Sequence, residues 1–168
     1  PKKRQMGIKE WIAQLKNAAD VKKRREAIRF LSQAPLTLRN RDIIEALGKA
    51  FFGALLDSDH IVRAKALEQV GMRFLHQDTL TLPVQMLKQE KEHRLVRGMA
   101  AHILPNWKSP AAVPALMNAL SSDDSYVFKQ VHGSLNGLTM AWIEVVLDDD
   151  FGRKDMARLR KKWDHWYK

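Results

Sequence analysis

Small or β-branched residues stand at positions 27, 66, 100 and 131, each inside a copy of one short pattern. Two copies read Val62-Arg63-x-x-Ala66-Leu67-x-x-Val70 and Val96-Arg97-x-x-Ala100-Ala101-x-x-Leu104. An earlier copy reads Lys23-Arg24-x-x-Ala27-Ile28-x-x-Leu31, and a later one Val127-Phe128-x-x-Val131-His132-x-x-Leu135. The steps are 39, 34 and 31 residues, a spacing that belongs to helical-pair solenoids with one supersecondary unit per period. Such a unit cannot bury its apolar face alone, so its neighbours must stack against it.

Each period reads as an A helix followed by a B helix. Ile8, Trp11, Ile12 and Leu15 fall on one helical face, and Asp20 is placed to cap the next helix. The spacing predicts repeats over 7–34, 41–75, 81–105 and 110–138, with a cap over 141–168, all in one domain of 168 residues. Repeat two breaks at Asp57-Ser58-Asp59. Repeat three places Pro83 in the first turn of its A helix, with a B helix from about Glu92. Repeat four turns at Ser121-Ser122-Asp123-Asp124 and stops near Asn136-Gly137. Trp142 to Leu147 fits either a helix or an extended strand. The tail then sets Met156, Leu159, Trp163 and Trp166 on one helical stripe, suited to closing the end of a repeat stack.

Charge is uneven. The chain carries 29 basic and 19 acidic side chains, net +10, and 13 of the basic but only 5 of the acidic ones lie in residues 1–50. That polarity favours an anionic partner, with a merely solvated surface as the plainer alternative. No apolar run approaches the ~20 residues of a membrane span. With no cysteine, thiolate metal sites and disulfides are excluded. The redox compartment stays open, and a soluble, cytoplasmic setting is favoured over a periplasmic one.

The run Leu56-Asp57-Ser58-Asp59-His60-Ile61-Val62-Arg63-Ala64-Lys65-Ala66-Leu67 resembles a HEAT repeat of the short bacterial, phycobilisome-lyase HEAT-like type. Leu138-Thr139, then Asp150-Phe151-Gly152 and Trp163-x-x-Trp166, is similar to the closing segment of many such proteins. The resemblance implies an all-α, right-handed solenoid of about four helical hairpins with a C-terminal capping helix. It also implies that the arginine after valine bonds the acidic turn of a neighbouring repeat. Arg24 would then meet Asp57 or Asp59, Arg63 would meet Glu92, and Arg97 would meet Asp123 or Asp124. Phe128 stands where the fourth arginine would be, so the series should end there. Lys23 replaces the buried valine of the first copy and leaves its register open.

A solenoid lines its concave face with B helices. In a common register these turn Arg25, Arg29, Lys65, Gln69, Met99, His102, Asn106, Lys129 and Gln130 toward that face. The expected function is a non-enzymatic scaffold or adaptor that holds an acidic protein partner there. A nucleic-acid module using the same cations is the alternative. Lys2-Lys3-Arg4 reads as a frayed terminus or a basic arm.

Signs of catalysis are sparse. The six histidines show no metal-ligand spacing, and no P-loop, GxSxG or dinucleotide glycine pattern occurs. No cofactor or metal is expected. His132 reads as a core histidine. Asp148-Asp149-Asp150 lacks the glycine and glutamate of a calcium loop. The resembled family includes lyase subunits and alkylpurine DNA glycosylases, and the latter activity would need a pocket joining Trp107 to a buried carboxylate.

Overall fold

The computed structural model describes residues 6–36, 41–144 and 151–168. Among them are nine α-helices and no strand, an all-helical repeat fold. The basic run 2–4, the aspartates 148–150 and the second half of the ambiguous 142–147 stretch lie outside the described residues. No described helix is long and apolar enough to cross a membrane. The chain divides into two compact units, Pro1–Phe74 and Leu75–Lys168.

The first unit holds α1 (Ile8–Asn17), α2 (Val21–Gln33), α3 (Arg41–Ala54) and α4 (His60–Arg73). Aspartates set two of the starts. Asp20 accepts the Lys22 N–H at 2.8 Å and Asp59 accepts the Val62 N–H at 3.1 Å, each satisfying a donor that the first helical turn leaves open. α1 packs on α2 and α3 on α4. Within the unit α1 also meets α3 and α2 meets α4, giving an A layer and a B layer. Ala27 and Ala66, the small residues of the repeat, are fully buried with Ile28, Leu31, Phe51 and Val62. Lys23 is exposed, so the first copy keeps the buried alanine and gives up the buried valine.

The second unit holds α5 (Thr81–Lys88), α6 (Arg94–Ile103), α7 (Val113–Ala119), α8 (Ser125–Thr139) and α9 (Arg153–Tyr167), joined in part by 3₁₀ turns. α6 starts later than the pattern predicts, because the His93 ring accepts the Leu95 N–H at 3.2 Å and acts as the cap. Asp124 caps α8 through the Val127 N–H at 3.0 Å. Gly98 lets α6 and α8 approach: a Cβ there would lie 2.2 Å from the Tyr126 ring.

α8 runs past the predicted stop at Asn136. The Asn136 side chain points sideways instead, accepting the Ile143 N–H at 2.9 Å and donating to the Ile143 carbonyl at 3.1 Å. The helix ends on Met140, whose φ of 55° is left-handed. In α9, Met156, Leu159 and Trp163 are buried as the stripe predicts. Trp166 is 43% exposed, so the last turn extends beyond the core.

Candidate interaction surface

The arginine of each repeat turns back to the end of its own A helix. Arg24 donates Nη1 to the carbonyls of Ala18 and Ala19, each at 3.0 Å. Arg63 donates Nη1 to the carbonyls of Asp57 at 2.7 Å and Ser58 at 2.9 Å. Arg97 donates Nε to the Leu87 carbonyl at 3.2 Å. The last carbonyls of a helix lack intrahelical donors, so a planar guanidinium from the next helix is a fitting cap.

Arg24 also grips the next acidic turn. Its Nε and Nη2 meet the two Asp57 carboxylate oxygens at 2.7 and 3.0 Å, a bidentate pair with both side chains largely buried. The neighbouring Arg25 forms a second fork on Asp59 at 2.9 and 2.6 Å. These hydrogen bonds from Arg25, aided by the Val62 N–H, hold the Asp59 carboxyl down at about 2.

In the second unit the pairing differs from expectation. Arg97 does not meet Asp123 or Asp124. Arg94, one turn earlier at the start of α6, pairs with Asp124 at 3.1 Å and lies over the Tyr126 ring. The series also does not end at Phe128. Arg160 of α9 sits over the Phe128 ring, its carbon 5.5 Å from the centroid. It donates to the Leu120 carbonyl and, at 2.7 Å, to the Ser122 carbonyl, and it faces Asp123 at 3.6 Å. The capping arginine of repeat four comes from the terminal helix. Glu92 accepts the His93 N–H at 2.5 Å.

A family model of HEAT repeats matches residues 50–136, just over half of the chain. The chain belongs to the HEAT-repeat family. Among curated proteins no relative matches it.

The B-helix residues of this HEAT protein separate into distinct groups. In the first unit Arg29 is exposed on α2, as are Lys22 and Lys23. Arg25 is half-exposed but held by Asp59, and Lys65 pairs with Glu68. Gln69 is only 5% exposed and so lines no surface; its Oε1 accepts from Arg73 at 3.1 Å. Arg73 in turn caps the end of α2 at the carbonyls of Ser32 and Ala34, a role the repeat pattern did not indicate. In the second unit His102 and Asn106 are exposed, while Met99, Lys129 and Gln130 are half-buried. The Lys129 ammonium lies 5.1 Å from the centre of the Phe151 ring.

Trp107 and His132 are tied into the core of the second unit. Trp107 is 2% exposed and donates its indole N–H to the His76 carbonyl at 2.9 Å. Among the described residues of that unit no carboxylate is buried beside it. His132 is 3% exposed and accepts the Trp163 indole N–H on Nδ1 at 3.0 Å. Burial, with Lys162 nearby, pushes its pKa down and keeps the ring neutral. No three described His, Asp or Glu side chains are grouped to hold a metal ion.

Proposed function

We propose that the exposed basic face of α2 binds an acidic segment of another protein. HEAT repeats serve as helical-repeat scaffolds or protein-interaction modules, and the repeat class supports that reading. The observation that carries it is the division of the α2 cations. Arg24 and Arg25 are engaged by Asp57 and Asp59, whereas Lys22, Lys23 and Arg29 are exposed and form no ion pair with a described carboxylate. Three cations on two turns of helix offer carboxylates a site at little desolvation cost. Lys65 of α4 extends the proposed surface within the first unit.

The test uses Lys22→Glu with Arg29→Glu. Arg25 is unsuitable for charge reversal, because its loss would leave Asp59 without its guanidinium. Binding of a fluorescein-labelled polyglutamate peptide should fall about tenfold in the double variant, with the thermal midpoint nearly unchanged. Unchanged binding overturns the proposal. Random duplex DNA at two salt concentrations tests the alternative: affinity that exceeds the peptide's and falls steeply with salt would assign the same cations to phosphates.

A further inference from the structure

We propose that the cleft between α1 and α3 is a docking site for an acidic amphipathic helix of a partner protein. It lies in the A layer of the first unit, and its argument is independent of the α2 face. The cleft encloses about 660 Å³, within the usual range for pockets that take a ligand. Its α3 wall is a run of missing side chain: Ala46, Ala50 and Gly53 follow one another at helical spacing on one face. A Cβ built on Gly53 meets no described atom within 4 Å, so the described residues leave this space unfilled. Ile12 and Leu15 of α1 form the facing wall. At the mouth Leu56 is 88% exposed, a large apolar side chain with no packing role in the unit.

Small residues on one wall and aliphatic ones on the other suit a helix, whose i, i+3/i+4 and i+7 side chains can enter while its backbone approaches closely. Charge selects the kind of helix. Lys16 stands on the α1 side and pairs with no described carboxylate, and Lys49 stands on the α3 side. Lys49 pairs with Glu45 at 2.6 Å, but both side chains are more than two-thirds exposed, and such surface pairs yield readily to a competitor. Asp57, the one carboxylate among the described residues lining the cleft, has both oxygens bonded by Arg24. The cleft therefore presents apolar walls between two cations, the complement of an apolar stripe flanked by glutamate or aspartate. A second copy of this chain would bring the same lysines to the rim and be repelled, and phosphates would gain nothing from the apolar walls.

The probes are two fluorescein-labelled synthetic helices with one leucine stripe, flanked in one by glutamates and in the other by lysines. With the full chain, the glutamate helix should bind at least about tenfold tighter than its lysine twin. Gly53→Leu fills the cleft and should weaken that binding about tenfold. Its thermal midpoint should be equal to or above that of the parent, since leucine is the better helix former. Lys16→Glu with Lys49→Glu should weaken binding similarly, whereas Lys22→Glu with Arg29→Glu should leave it unchanged. That last variant separates failure here from failure of the α2 proposal. Equal affinity for the twins, or binding indifferent to Gly53→Leu, overturns the inference. So does a dimer seen by light scattering that Gly53→Leu dissociates, which would give the cleft to a second copy.

Discussion

The acidic turn before α4 and the one before α8 occupy the same place in their repeats, yet different arginines serve them. In the first unit one side chain, Arg24, both caps the end of α1 and grips Asp57. In the second unit these tasks are divided. Arg97 takes the Leu87 carbonyl, Arg94 takes Asp124, and Arg160 of the terminal helix caps the end of α7 beneath repeat four's phenylalanine. A repeat conserves the need, donors for the open carbonyls and partners for the turn carboxylates, more strictly than the residue that meets it.

If the second unit depends on α9 for a repeat function, loosening α9 should produce the largest loss. Trp163→Ala removes a fully buried indole and its bond to His132, and should cost about 3–5 kcal/mol in urea unfolding. A cost below about 1 kcal/mol would reduce α9 to an appendage and break the comparison. Arg24→Ala should rank next, at about 2–3 kcal/mol, through lost charge-assisted bonds. Arg24→Lys should recover less than half of this, because an ammonium cannot span Asp57 and two carbonyls in one plane. Full recovery would show that charge alone matters. Arg160→Ala follows at about 1.5–2 kcal/mol, since Arg160 retains more solvent and its Asp123 contact is long.

Much of this was legible in the sequence, and the exceptions share a cause. Periodicity placed Ala27, Ala66, Ala100 and Val131 in the core, all four fully buried, because burial of a B-helix stripe follows from spacing alone. Asp20 was legible as a cap, and the runs ending at Asp59 and Asp124 as turns before the next helix. Alignment failed where a side chain's direction depends on the next element. Arg94 and Arg97 lie one helical turn apart, and sequence spacing does not decide which reaches the turn at 123–124. Gln69 falls on an open face by register, yet its amide turns in to Arg73 one helical turn on, a pairing that spacing does not show. Arg160 did leave a trace: it lies 32 residues beyond Phe128, within the spread of the repeat steps. The α1–α3 cleft left none, since alanines and a glycine on a helix face signal close packing as readily as an opening.

The smallest expected effect separates the units by pH. His132 has a lowered pKa in the folded chain, so below the ordinary imidazole value of about 6.5 the unfolded chain binds the extra proton first. Its contribution is therefore complete above that pH and declines as the pH falls, by at most about 1.4 kcal/mol per pH unit. Protonated Nδ1 can no longer accept the Trp163 indole N–H, and Lys162 disfavours the added charge. Asp59 of the first unit, held at about 2, keeps its contribution until the pH drops below the ordinary carboxylate range and loses it only toward the held value. Urea midpoints between pH 7.5 and 5.5 should thus decline more steeply in the parent chain than in His132→Phe. Arg25→Gln should instead lower the midpoint evenly across that range and approach the parent only below about pH 4, where the parent loses the Asp59 contribution. Equal slopes in the parent and His132→Phe would mean that protonation leaves the α8–α9 junction intact, and that the hold on α9 resides in Arg160 and the aromatic packing rather than in the histidine.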